Sequence, residues 1–377
     1  MRSLYLSGNE GVGDIGVAAI AAALKIANRP KYTGDSDSSL CILDTLDVSA
    51  CHVGDIGAKV LAIALEHNPG CLKSLDLSNN FITDEGAVSL TAGIIAGYKK
   101  QQKLQLDSLD LSNNIEIGEK GAEALFSVVK CGAVRRLALR SCAIKWKGAS
   151  ALGSAIATII ANKNLPDGIE IDLSGNKLGT KDWKKKTNYA DGVKKMTNMG
   201  MNWLKSSLKD AGFVGDVESD DEEELLDPEL AEEENRSSKC GACAMFDGLD
   251  KDLDDSLAPS VESSLTVALR MCNFEDKGID ALSAVALRVC ESNGRKIHID
   301  CSMNEILEDE SIADNLLQGN VKNAELRKRA NRHIEARKAA IAREEKKRTE
   351  NQINSLFEEE SDYIHESFDS FDEYQYE

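Results

Sequence analysis

The chain has 377 residues, of which 42% are hydrophobic and 5% aromatic, and it carries a formal charge of −19 at pH 7. This charge argues against nucleic acid and anionic membrane surfaces as main partners, and no apolar run of about 18 residues is present that could insert into a bilayer. The first residues also lack the apolar stretch of a signal peptide. The ten cysteines are therefore predicted to be reduced thiols of a cytoplasmic protein, with the nucleus as the alternative location.

A block of the form Leu-x-Leu-Ser-x-Asn recurs along the chain. Its copies begin at residues 4, 46, 75, 109, 137, 171, 267 and 299, and the shortest steps between them are 29 and 28 residues. The period of 2 predicts a strand in which Leu75 and Leu77 point into the protein while Asp76 and Ser78 point outward. A pattern of helical period follows each block, so that stacked units of one strand and one helix are predicted to form a solenoid. A glycine holds the same place ahead of these helices: Gly16, Gly57, Gly86, Gly121, Gly148 and Gly278.

The last residue of each block is Asn or Cys, at the point where the chain leaves the strand: Asn9, Cys51, Asn80, Asn114, Cys142, Asn176, Cys272 and Asn304. Side chains at this position are predicted to bond to buried loop backbone. Over residues 1–178 and 262–318, these features resemble the ribonuclease-inhibitor-like leucine-rich repeat family. The resemblance implies an α/β solenoid, a horseshoe with parallel strands on the concave face and helices outside, which works by binding other proteins.

Composition divides the chain into five segments. Residues 1–213 are interpreted as the first block of repeats and residues 261–320 as the last block. Between them, residues 214–260 are predicted to be an acidic disordered loop, because the run from Asp216 to Arg236 holds twelve acidic residues and one basic residue. Residues 321–350 are predicted to form a charged helix that either caps the last repeat or extends freely, and residues 351–377 form an acidic and aromatic tail.

Two features of the interruption need a separate interpretation. The stretch from Met196 to Leu208 has apolar residues at helical spacing and is interpreted as the helix of the interrupted repeat. The Cys240-Gly241-Ala242-Cys243 sequence could be half of a zinc site or a redox pair. A zinc site needs two further ligands and no second such pair is present, so these are interpreted as incidental cysteines of the loop.

No catalytic, cofactor or metal motif is present in the sequence. The outward strand positions instead predict an acidic column of Asp47, Asp76, Asp110, Asp172 and Asp300, broken by Arg140 and Arg270. The acidic column is either part of the repeat consensus or a groove for a basic segment of a protein partner. The residues predicted to bind protein on the concave face are Asp47, Asp76, Asp110, Arg140, Asp172 and Arg270.

The function predicted from these features is that of a non-enzymatic scaffold for protein–protein interaction. The alternative is a regulator of a small GTPase. The chain is similar in repeat class to Ran GTPase-activating proteins, some of which join the repeats to an acidic segment, although here the acidic run lies inside the repeat array and no arginine matches a catalytic motif. An actin- or cilium-associated repeat protein of the tropomodulin sort shares the layout of repeats followed by a helix.

Overall fold

A computed structural model describes residues 2–27, 43–67, 72–101, 106–162, 165–178, 240–253, 264–274, 276–293, 296–304 and 310–343, together with residues 346 and 349. Within these ranges, eight strands form one open sheet in which each strand pairs in parallel with the next one along the chain. The strands are β1 (Ser3–Tyr5), β2 (Thr45–Asp47), β3 (Ser74–Asp76), β4 (Leu106–Asp110), β5 (Val134–Ala138), β6 (Ile169–Asp172), β7 (Ser264–Ala268) and β8 (Lys296–Asp300).

The register of the sheet follows the repeat. The first apolar residue of each block pairs with its equivalent in the next strand, from Leu4 with Leu46 to Val267 with Ile299. Because the inward positions stack in this way, their side chains form one continuous core, in which Leu46, Leu75 and Leu109 are buried. The predicted α/β repeat solenoid with a parallel sheet is confirmed.

A layer of helices covers one side of the sheet. In the described part of the chain, one helix follows each of the first seven strands, and neighbouring helices pack in chain order. They are α1 (Gly13–Ala27), α2 (Asp55–His67), α3 (Asp84–Gln101), α4 (Glu119–Lys130), α5 (Trp146–Ala161), α6 (Gly241–Asp252) and α7 (Asp276–Asn293). A shorter helix, α8 (Glu310–Leu317), packs beside β8, and α9 spans residues 324–343. Among the described helices, none combines the length and apolar character needed to cross a membrane.

Glycines bring two pairs of helices into backbone contact. A Cβ on Gly93 of α3 would lie 2.3 Å from the carbonyl oxygen of Ala62 on α2, and one on Gly153 of α5 would lie 2.0 Å from that of Met245 on α6. No side chain fits at either place without moving the backbone of the neighbouring helix.

Aspartates connect the first four helices through hydrogen bonds to the backbone of the next unit. One carboxylate oxygen of Asp14 accepts from the N–H groups of Gly54 and Gly57, at 2.7 and 3.0 Å. Asp55 accepts in the same way from Thr83 and Gly86, and Asp84 accepts from Gly118 and Gly121. Each carboxylate thus supplies an acceptor for N–H groups at the start of the following helix, where the helix itself offers none.

Helix α6 corrects part of the predicted organisation. Residues 240–253 fall in the segment 214–260 that was predicted to be a disordered loop, but they form a helix packed between α5 and α7. The backbone N–H of Gly241 donates to the carbonyl of Leu178 at 2.6 Å, and Met245 and Phe246 are buried. Helix α6 thus holds the place of a repeat helix between α5 and α7, and the stretch Met196–Leu208, interpreted as the helix of this repeat, lies outside the described residues. The Gly241-Ala242 pair repeats the Gly-Ala start of the other repeat helices.

Helix α9 docks on the outer side of α6 and α7 through a small apolar stripe and ion pairs. Leu326 and Ala330 are buried. Arg329 and Arg332 both lie 3.3 Å from the carboxylate of Asp280 on α7. Other contacts join α9 to α6: Arg337 with Asp247 at 2.6 Å, and His333 edge-on to Phe246 with ring centres 5.0 Å apart. The described part of the predicted charged helix thus packs on the preceding helices.

Candidate interaction surface

The aspartates of the concave face all share one structural role. In each copy, a carboxylate oxygen accepts a hydrogen bond from the backbone N–H two residues further on, as in Asp76 with Ser78 at 2.9 Å and Asp110 with Ser112 at 2.8 Å. The same bond forms at Asp47, Asp172 and Asp300. Asp in the repeat block is therefore explained in part by the local turn, because its short side chain reaches its own backbone.

The register corrects the predicted column. Ala138 and Ala268, not arginines, occupy the aspartate position in β5 and β7, since Ala138 pairs with Asp110 and Asp172, and Ala268 pairs with Asp172 and Asp300. Arg140 and Arg270 lie two residues further along, in the column of serines. The small alanine side chains leave space beside the aspartates into which the guanidinium groups turn.

These two arginines neutralise the C-terminal half of the acidic column. Arg140 lies between Asp110, at 3.0 Å, and Asp172, at 3.7 Å. Arg270 lies between Asp172, at 3.7 Å, and Asp300, at 3.4 Å. The alternation of negative and positive groups leaves little net field for a ligand to detect over β4 to β8. We call this series the arginine ladder.

The N-terminal half of the column has no such compensation. Among the described residues, no lysine or arginine forms an ion pair with Asp47 or Asp76. Burial raises the pKa of Asp76, and the nearby carboxylates of Asp110 and Asp47 raise it further, against the hydrogen bonds from Ser78. Tyr5, which pairs with Asp47 in the sheet, leaves 67% of its surface exposed. We call Tyr5, Asp47 and Asp76 the acidic face. Tyr5 was missed in the sequence because it replaces the aspartate of the block.

The Asn and Cys residues that close the blocks lie buried at the end of the strands, as predicted, except for Asn9 of the first block, which is exposed. The amide of Asn80 accepts from the N–H groups of Cys51 and Val53 and donates to the carbonyl of Val48, all within 3.0 Å. Cys residues keep only the donor part of this role: the Cys51 thiol points at the carbonyl of Leu6, with 3.0 Å between sulfur and oxygen. The same contacts recur at Asn114, Cys142, Asn176, Cys272 and Asn304.

Burial keeps the thiols of Cys142, Cys272 and Cys301 protonated. It raises the pKa of Cys142, of Cys272 and of the inward Cys301 to about 12 in each case. A thiol is a donor only while protonated, so burial and hydrogen bonding support each other here. The cysteines of the ladder therefore have a packing role.

The pair Cys240 and Cys243 lies at the start of α6, not in a loop. Cys240 is buried, and the hydrogen bond with Cys240, followed by burial, raises the pKa of the Cys243 thiol. A raised pKa opposes both zinc binding and thiolate attack. The described residues contain no group of three or more His, Cys, Asp or Glu side chains arranged to hold a metal.

Comparison with known proteins agrees with this architecture. The model of the leucine-rich repeat family matches residues 1–21, 40–62 and 71–90. A human protein, NACHT, LRR and PYD domains-containing protein 12, is 33% identical over 112 residues, which are 30% of this chain and 9% of that protein. The chain thus covers only a small part of this relative's length. The matched segments, the recurring block and the parallel sheet together support a leucine-rich repeat solenoid.

Proposed function

We propose that the protein is an interaction scaffold whose acidic face binds a basic segment of a partner protein. The leucine-rich repeats support protein binding in general, and the ribonuclease-inhibitor-like subclass is supported by the 28- and 29-residue steps and the Asn and Cys ladder. The observation that carries the finer proposal is the difference along the concave sheet: the carboxylates of Asp47 and Asp76 lack cationic partners among the described residues, whereas Asp172 and Asp300 have arginines.

The acidic face combines two kinds of contact that favour protein binding. Uncompensated carboxylates attract a basic segment and accelerate its approach. The exposed ring of Tyr5 offers a rigid apolar surface with a polar end, the type of side chain that often dominates binding energy. Of the residues predicted to bind protein, this proposal keeps Asp47 and Asp76 as the main contacts. It assigns Asp110, Arg140, Asp172 and Arg270 to the arginine ladder.

The alternative, regulation of a small GTPase, receives no support from an observation of the described residues. A catalytic arginine must reach the nucleotide, but Arg140 and Arg270 are each held between two aspartates. We therefore do not propose it as a second function.

Charge-matched variants of the full chain test the proposal. Proteins captured from a cell extract are purified and titrated against wild type, Asp47→Asn/Asp76→Asn and the control Asp172→Asn/Asp300→Asn. Each double variant removes two negative charges from the concave face. We expect the first to weaken binding by roughly tenfold or more, as for loss of close charge contacts, and the control to bind nearly as wild type. Equal losses in both variants, or none in the first, would contradict the proposal.

A further inference from the structure

Large apolar side chains are exposed along one edge of the N-terminal repeats. Phe81 and Ile115 directly follow the ladder residues Asn80 and Asn114, and are 62% and 72% exposed. Ile15 and Ile56, in the first turns of α1 and α2, are more than half exposed as well. All parallel strands end at the same edge of the sheet, and the helices begin there, so these four side chains share that edge. We call Ile15, Ile56, Phe81 and Ile115 the apolar edge.

The residue type directly after the ladder position is not fixed by the repeat, although Met271 and Met303, one residue before it, are exposed in the C-terminal repeats. The residue that follows the ladder position is Ala143, Lys177 and Asn273 in the C-terminal repeats. Phe81 also contacts the preceding unit, since the rings of His52 and Phe81 have centres 5.1 Å apart. A single exposed apolar side chain is ordinary, but a row of them on adjacent repeats is typical of a binding surface.

Acidic groups surround the apolar edge. Glu10, Glu85 and Glu116 are exposed beside it, and the described contact of Glu10 with a basic group is the one with His52, at 3.9 Å. The acidic face adjoins this edge, because Asp47 and Asp76 lie four residues before the ladder positions of the same units. A ligand that covers the apolar edge therefore meets carboxylates on both sides.

We propose that the apolar edge docks a partner-protein segment in which large apolar side chains alternate with or are flanked by lysine or arginine. This inference rests on the proposed function and extends its contact surface from the sheet to the turns. Charge complementarity favours this occupant. An apolar peptide without basic residues would leave the surrounding carboxylates unpaired. A second copy of the chain, with its charge of −19, would be repelled by an acidic surface.

The test uses the full chain and three labelled synthetic 14-residue helical peptides of equal length. Their compositions are leucine with lysine, leucine with glutamate, and serine with lysine. We expect the leucine–lysine peptide to bind wild type at least tenfold more tightly than either other peptide. Phe81→Ser/Ile115→Ser should lower its affinity by roughly tenfold. The control Ile63→Ser/Ile341→Ser removes two exposed apolar side chains outside the edge and should bind the peptide as wild type does.

Three outcomes would overturn the inference. Equal binding of the leucine–lysine peptide by wild type and the edge variant places its contact elsewhere. If the leucine–glutamate peptide binds as tightly as the leucine–lysine peptide, apolar contact alone suffices. If the serine–lysine peptide binds as tightly, charge alone suffices. Self-association of wild type that the edge variant loses, measured by sedimentation, assigns the edge to a second copy. The acidic face and the apolar edge can be varied separately. If binding of a captured partner requires Asp47 and Asp76 but not Phe81 and Ile115, the inference about the edge is wrong and the proposed function is retained.

Discussion

The N-terminal repeats, β1–β4 with α1–α4, and the C-terminal repeats, β5–β8 with α5–α9, share one core but differ at their surfaces. In the N-terminal repeats, aspartates join successive helices, the carboxylates of Asp47 and Asp76 form no ion pair with a described lysine or arginine, and large apolar side chains lie exposed at the turns. In the C-terminal repeats, arginines neutralise the concave face and α9 covers α6 and α7. Side chains that already form contacts within the protein are less available to a ligand. The difference supports the proposal that the partner binds the N-terminal repeats.

The largest expected effects test what the two regions share. Asn80→Ala and Asn176→Ala each leave several buried backbone groups without a partner, so each should cost about 3 kcal/mol of unfolding free energy. Urea denaturation measures both. A cost in only one region would show that the ladder is not the common support of the solenoid. Cys142→Ala, which removes only long contacts of 3.6 Å from sulfur to oxygen, is the control and should cost about 1 kcal/mol or less.

Close helix contact is also expected to be equivalent in the two regions. Gly93→Ala pushes α3 from α2, and Gly153→Ala pushes α5 from α6, because in each case the new methyl group meets a carbonyl oxygen. Each should destabilise by about 2 kcal/mol, measured by thermal and urea unfolding. Gly11→Ala, where a Cβ has open space around it, serves as the control. Tolerance of Gly153→Ala alone would mean that α6 is held less firmly than α3.

The aspartate caps should distinguish the helix contacts within the N-terminal repeats from the contact of α4 with α5, where the C-terminal repeats begin. Asp55→Ala removes the acceptor for Thr83 and Gly86 and should cost about 1 kcal/mol, as other losses of helix caps do. Glu119 holds the equivalent place on α4, but the described neighbours of Gly148 are Ile144 and Ala122. Glu119→Ala should therefore leave the urea midpoint nearly unchanged. An equal loss in both variants would remove this difference between the regions.

The smallest effects should have opposite signs on the two halves of the concave column. Asp172→Asn weakens ion pairs with Arg140 and Arg270 and should lower stability by less than about 1 kcal/mol, since the side chains of both arginines are nearly half exposed and the amide keeps the hydrogen bond to Ser174. Asp76→Asn should preserve or slightly raise stability. Burial raises the pKa of Asp76, so the charged form is disfavoured in the folded state. The charged Asp76 carboxylate therefore destabilises the folded state at neutral pH. This destabilisation disappears as the pH falls through the pKa of the folded state toward the pKa of the unfolded state.

Comparing urea midpoints of wild type and Asp76→Asn between about pH 7 and 3.5, which brackets the ordinary aspartate pKa, tests this sign. The advantage of the variant should shrink as the pH falls. An advantage that grows toward low pH would mean that the folded state favours the charged carboxylate.

The sequence predicts the repeat core and its ladder because both follow from period. Leu75, Leu77 and Asn80 have fixed places in the block, and burial follows from those places. Arg140 could be placed in the serine column by aligning the blocks, yet its ion pairs depend on how far its long side chain turns. Helix α6 was missed because its Gly-Ala start is far along the chain from β6, across residues 179–239. Among the described residues, the hydrogen bond from the N–H of Gly241 to the carbonyl of Leu178 joins it to its repeat.

The exposed residues at the candidate surface were harder to predict. Phe81 and Ile115 lie at positions with no fixed residue type in the repeat, so their exposure depends on the direction of each turn. Tyr5 departs from the block, and a departure could equally indicate lost or gained function. Packing against neighbouring units decides whether such a side chain is exposed, and the sequence of a single repeat does not contain those contacts.

The association rate of a captured, purified partner as a function of salt tests the central claim most directly. Between about 0.05 and 0.5 M NaCl the screening length falls severalfold, so steering by uncompensated carboxylates is lost. We predict a steep decrease of the rate for wild type and for Asp172→Asn/Asp300→Asn, and a clearly flatter one for Asp47→Asn/Asp76→Asn. The same salt dependence in all three proteins, or flattening only in the Asp172→Asn/Asp300→Asn variant, would contradict binding by the N-terminal acidic face.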